Sequence, residues 1–161
     1  MKTAIVYYSM LGNTKYVAEK IAQKLSVDII CLEPVKAYPD KGVRKFFWGG
    51  KSAVMGETPK LQPYQFQAKE YDTIIFGTPV WASNFAPPIR TFIQENKSAL
   101  EGKKIAAFLC FSGGGADKAI EKLKQCLGID KLAAELVLID PKDKVMAEND
   151  EKIGEFCSQF L

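Results

Sequence analysis

A chain of 161 residues, 47% apolar and 25% charged, has the balance of a globular domain with a sizeable core, and one domain spanning 1–161 is expected. The formal net charge is only +3 and the lysines are spread along the chain, so the charge pattern points to neither nucleic acid nor a membrane surface. No apolar run approaches the roughly 20 residues of a membrane span, and no export signal is evident, which makes a cytoplasmic location the expectation.

The chain contains no histidine, which removes the commonest general base. A Ser-His-Asp or Cys-His hydrolase is therefore excluded within it. The four cysteines, Cys31, Cys110, Cys126 and Cys157, form no C-x-x-C pair, and zinc and iron–sulfur sites are not expected. They read as small buried hydrophobes. Chemistry in such a chain falls to carboxylates, lysine, tyrosine or a cofactor.

Taken in order, the chain opens with an apolar strand, Thr3 to Tyr8, that runs into Ser9-Met10-Leu11-Gly12-Asn13-Thr14. A helix follows, with Val17, Ala18, Ile21, Ala22 and Leu25 on one stripe. A second strand is predicted over 27–32. Residues 34 to 71 are the least regular part. There Val43, Phe46, Phe47, Val54 and Met55 recur at helical spacing, and the helix they predict is interrupted at Gly49-Gly50. Phe46, Phe47 and Trp48 serve either that packed face or the wall of a pocket. Thr73 to Gly77 is a third strand, leading into Thr78 to Phe85, and Pro87-Pro88 opens a helix. Lys104 to Cys110 is a fourth strand, followed by Phe111-Ser112-Gly113-Gly114-Gly115-Ala116 and a helix that stops at Gly128. Glu135 to Ile139 is the fifth strand, and a last helix turns Ile153, Phe156, Cys157 and Phe160 inward.

Five apolar runs alternating with helical segments predict a parallel sheet covered on both faces. Right-handed crossovers leave few topologies open. The loop after strand 1 has the features of an anion cradle. The first N–H groups of a helix lack intrahelical partners, the macrodipole adds positive charge there, and hydroxyls lie beside them. Plain helix capping uses the same residue types. The loop is neither G-x-x-x-x-G-K-[ST] nor G-x-G-x-x-G, so nucleotide P-loop and dinucleotide readings are unsupported. A phospho-acceptor receiver domain is also excluded, because strand 3 ends in Gly77-Thr78-Pro79 with no aspartate.

The S-x-x-G-N-T loop resembles the FMN-phosphate loop of the flavodoxin-like family. So do Gly77-Thr78-Pro79-Val80-Trp81 with Pro87-Pro88-Ile89-Arg90-Thr91-Phe92, and Ser112-Gly113-Gly114, which are similar to its second and third flavin loops. The resemblance covers nearly the whole chain. It implies a doubly wound five-stranded parallel sheet with strand order 2-1-3-4-5, and FMN as the cofactor. Carried over, Ser9, Met10, Leu11, Gly12, Asn13 and Thr14 would hold the phosphate. Pro79, Val80, Trp81, Ala82, Ser83 and Asn84 would flank the flavin ring, and Ser112, Gly113, Gly114 and Gly115 would offer backbone N–H groups to its polar edge.

Trp81 serves either as a flat ring contact or as a plug against the core, and the glycines either as donors or as a tight helix start. The function implied is low-potential electron transfer with redox partner proteins or a small-molecule electron acceptor. An NAD(P)H-dependent flavin or quinone reductase is the second reading, favoured by the Gly-rich third loop and the positive balance, both departures from acidic flavodoxins. A nonredox binding module is a third.

Overall fold

A computed structural model describes residues 2–39 and 49–161. Its first strand, β1 (Thr3–Tyr7), leads to α1 (Asn13–Leu25) and β2 (Asp28–Cys31). Residues 49–54 are helical (α2). Then come β3 (Thr73–Trp81), β4 (Asn84–Phe85), α3 (Pro87–Glu95) and α4 (Lys97–Leu100). The chain continues through β5 (Lys104–Phe111), α5 (Ala116–Leu127), β6 (Glu135–Ile139) and α6 (Ala147–Ser158).

The sheet runs β2-β1-β3-β5-β6, all parallel, and β4 folds back antiparallel onto the end of β3. Without that short addition, the five parallel strands stand in the order 2-1-3-4-5 implied by the resemblance. The fold is the flavodoxin-like α/β sandwich.

The period of two along each strand divides the core. Ala4, Val6, Ile74, Phe76, Ala107 and Leu109 point to one face, covered by Ile89, Phe92 and Ile93 of α3 and by Ala119, Ile120 and Leu123 of α5. Ile5, Tyr7, Ile75, Ala106 and Phe108 point to the other, covered by Val17, Ala18 and Ile21 of α1 and by Ile153, Phe156 and Cys157 of α6. One cross-strand position is very tight. Gly77 stands opposite Phe108, and a Cβ added there would run into the Phe108 ring.

The structure departs from the sequence expectations at several points. The third strand does not stop at Gly77 but continues to Trp81 and turns back as a hairpin. Gly49 and Gly50 are themselves helical, and the residues before them, on which the expected interruption depends, lie outside the described residues. Val54 and Met55 are exposed; the buried side of α2 is Ser52 and Ala53. The expected Val43, Phe46, Phe47 and Trp48 lie outside the described residues. Cys31 is not a buried hydrophobe: it is exposed on edge strand β2, with its thiol on Glu33 Oε1 at 3.3 Å. Cys110 and Cys157 are buried, and Cys126 is partly so.

Candidate functional site

A cavity of about 440 Å³ opens at the carboxyl ends of β1, β3 and β5. Ligand sites of open α/β sheets sit at this edge, where the winding reverses. Ser9, Met10, Leu11, Asn13 and Thr14 line it from the first loop. Pro79, Val80, Trp81, Ala82 and Ser83 line it from the second, and Ser112, Gly113 and Gly114 from the third. Gly12, Asn84 and Gly115 are not on its wall. Phe111, which opens the third loop, is, and so are Gly50, Cys110 and Asp140, which lie outside the three loops.

The first loop brings α1 in through Gly12, whose φ of 98° favours glycine. Thr14 is 1% exposed, and its Oγ1 makes no well-formed hydrogen bond, with only the Cys110 thiol beside it. Ser9 Oγ is likewise buried and unpartnered. Two such orphans are uncommon, since leaving a buried hydroxyl unbonded costs about 1–3 kcal/mol. Asn13 behaves differently from the expected donor. Its Oδ1 accepts the Lys142 backbone N–H at 2.8 Å, and its Nδ2 donates to Asp143 Oδ2 at 3.2 Å. Its amide is therefore committed to the β6–α6 connection.

The second loop is a two-residue hairpin. Ala82 and Ser83 have φ of 49° and 58°, and Val80 pairs with Phe85 and Trp81 with Asn84. Two consecutive left-handed residues match the twist of the flanking strands, a turn normally given to Asn-Gly or Asp-Gly. Asp140, with φ of 40°, is the third non-glycine residue of this kind on the cavity wall. Backbone strain of about 1–3 kcal/mol per residue tends to gather at functional sites. Gly115 has a steric reason: its φ is 86°, and a Cβ on it would collide with Ser83. Its role is to let the hairpin tip rest on the start of α5.

Trp81 is framed by aromatic edges. Tyr8 and Tyr38 meet it at centroid distances of 5.6 and 5.2 Å, both nearly perpendicular. Gly49 lies against its six-membered ring, where a Cβ would come within 3.3 Å of Cε3. Trp81 thus packs on the core and also lines the cavity. Asn84 is a strut behind it. Its Nδ2 donates to Ala53 O at 2.8 Å and its Oδ1 accepts the Phe85 N–H at 2.9 Å, both buried. Asn84→Ala should destabilise the fold by about 2 kcal/mol by orphaning both groups. A urea midpoint matching the wild type would remove that role.

The third loop presents Gly113 and Gly114 with nothing near their missing side chains. Ser112 donates its hydroxyl to Asp140 Oδ1 at 2.6 Å, which leaves its oxygen lone pairs for any ligand. That bond, and Lys144 at 3.0 Å from Oδ2, hold the Asp140 carboxyl below the usual carboxylate range. Burial pushes the Cys110 thiol up to about 12, so it is neutral and inert at ordinary pH.

Fold and cavity together define a three-loop ligand site on a doubly wound sheet. The flavodoxin profile matches residues 2–146, and the chain belongs to the flavodoxin family. Among solved structures it is similar to a flavoprotein in complex with FMN from Lactobacillus acidophilus NCFM, with 24% identity over 88% of this chain and 95% of that one and a TM-score of 0.71. The apo-form of the flavoprotein from the same organism matches at 25% identity, over 94% and 96% of the two chains, with a TM-score of 0.64. Two-electron reduced flavodoxin from Megasphaera elsdenii matches at 18% identity, over 98% and 99%, with a TM-score of 0.58. No helix among the described residues is long and apolar enough to cross a membrane.

Proposed function

We propose that this chain binds FMN noncovalently and transfers electrons at low potential between a donor and an acceptor. The observation that carries the reading is the pair of buried hydroxyls without well-formed hydrogen bonds, Ser9 Oγ in the first loop and Thr14 Oγ1 in the first turn of α1. They lie on a cavity whose wall also holds the Trp81 indole. A phosphate needs donors of that kind at a helix N-terminus, and a flat ring needs an aromatic contact. A volume of about 440 Å³ falls in the range of small-molecule sites.

FMN supplies reversible one- and two-electron chemistry when bound. The protein's part is binding and tuning. Ser9, Thr14 and the first N–H groups of α1 would hold the phosphate, with Met10 and Leu11 shaping the loop. Pro79, Val80, Trp81, Ala82 and Ser83 would flank the ring, and Ser112, Gly113 and Gly114 would meet its polar edge. Asp140 keeps a negative charge at that wall, which disfavours further negative charge nearby and so supports a low potential. The exposed backbone at Gly113 and Gly114 favours the second reading, an NAD(P)H-dependent flavin or quinone reductase, because no side chain closes that flank.

Anaerobic titration of the FMN-loaded protein separates the two. Reduction resolved into two one-electron stages, without turnover of NAD(P)H, is expected for a carrier. Steady NAD(P)H–quinone turnover would overturn the carrier reading in favour of the enzyme.

A further inference from the structure

The connection between β6 and α6 folds over the first loop, although some 130 residues separate them in sequence. It is a tight turn: the Asp143 and Lys144 N–H groups both donate to Asp140 O, at 3.0 and 2.7 Å. The Asn13 amide anchors it from the other side. The turn thereby brings the Lys142 side chain across Gly12. Lys142 Nζ donates to Leu11 O at 3.3 Å, and it would lie 3.0 Å from a Cβ on Gly12. One of its three N–H donors is used by that carbonyl. Lys142 forms no ion pair among the described residues, whereas neighbouring Lys144 is paired with Asp140 and Asp143 is engaged by Asn13.

An unpaired ammonium held on the Leu11 carbonyl over Gly12, off the cavity wall but at the N-terminus of the helix whose first turn carries the almost wholly buried, unbonded Thr14 hydroxyl, has the chemistry of an anion clamp. We propose that Lys142 is a specificity residue that supplies the charge-bearing contact to a terminal phosphate monoester, making the site select the phosphorylated ligand over the corresponding alcohol. The first loop alone offers neutral donors, and the charge arrives from a residue some 130 positions away in sequence. This rests on the FMN reading for the identity of the ligand, but not for the anion site itself.

Three variants and two ligand classes test it. Lys142→Gln keeps a donor for Leu11 O and removes the charge, Lys142→Arg keeps the charge, and Lys142→Met removes both. Dissociation constants for FMN and riboflavin are read by fluorescence at low and high salt. Inorganic phosphate is followed separately through the backbone amide shifts of residues 11–14.

Lys142→Gln and Lys142→Met should weaken FMN about tenfold at low salt and riboflavin less than about twofold, with the difference shrinking as salt rises. Lys142→Arg should stay within about threefold of the wild type. Equal losses for both ligands, or wild-type behaviour in Lys142→Gln, would reduce Lys142 to a strut and overturn the proposal. If the wild type binds neither flavin, the FMN reading fails. The clamp then stands if phosphate shifts those amides in the wild type and not in Lys142→Met, and falls if phosphate shifts them in neither protein or in both alike.

Discussion

Gly77→Ala should destabilise the protein by about 3 kcal/mol, near the upper end of what overpacking a core usually costs. The position sits mid-strand in β3, opposite Phe108 of β5, and the added Cβ would occupy space held by the Phe108 ring. Phe108 is fully buried in the cluster it shares with residues of α1 and α6. Neither neighbour can give way easily, because β3 and β5 are both interior strands with partners on each side. The check is a double-mutant cycle by urea unfolding. Phe108→Leu alone should cost about 1–2 kcal/mol through poorer packing. Combined with Gly77→Ala it should recover part of the loss, giving a coupling of about 1 kcal/mol or more. Strictly additive costs would show that the two residues do not compete for the same space.

Trp81→Ala should weaken FMN binding by about 1–3 kcal/mol, or roughly 5- to 150-fold, the scale on which one large aromatic side chain contributes to a site. The indole lines the cavity, yet Tyr8, Tyr38 and Gly49 also pack against it. Truncation therefore removes a wall of the site and a part of the packing at once. Trp81→Phe separates the two roles, since it retains a flat ring in the same aromatic frame. It should recover most of the affinity, while Trp81→Ala should also lower the urea midpoint. A flavin titration showing the same dissociation constant and the same bound absorption spectrum in Trp81→Ala would take Trp81 out of the site.

The sheet is legible in the sequence because its central strands are buried on both faces and therefore read as unbroken apolar runs, as in Ile74-Ile75-Phe76 or Ala106-Ala107-Phe108-Leu109. The hairpin at Ala82-Ser83 is not, because its left-handed turn is built without the Gly, Asn or Asp that usually announces one. Val54 and Met55 mislead about the buried side of residues 49–54 because hydrophobic spacing alone cannot say which side meets the core; there Ser52 and Ala53 are buried, and Asn84 bonds to Ala53 O. At the site, the three loops can be found from their small and hydroxyl residues. The contribution of Asp140, Lys142 and Asp143 cannot. These are ordinary charged residues after the last strand, and only the sheet order brings them beside Asn13 and Ser112. The same pairing explains why Asn13, a plausible ligand donor in the sequence, is a tether in the fold.

Of the described side chains on the cavity wall, only Asp140 and Cys110 can gain or lose a proton, and their surroundings drive them apart, one acidified and the other pushed up to about 12. Between pH 5 and 8 that wall consequently has constant charge, with no imidazole anywhere in the chain to alter it. Any slope of midpoint potential against pH recorded over that interval is thus free of titration by the lining, and it gives a direct count of protons taken up by the bound coenzyme with each electron.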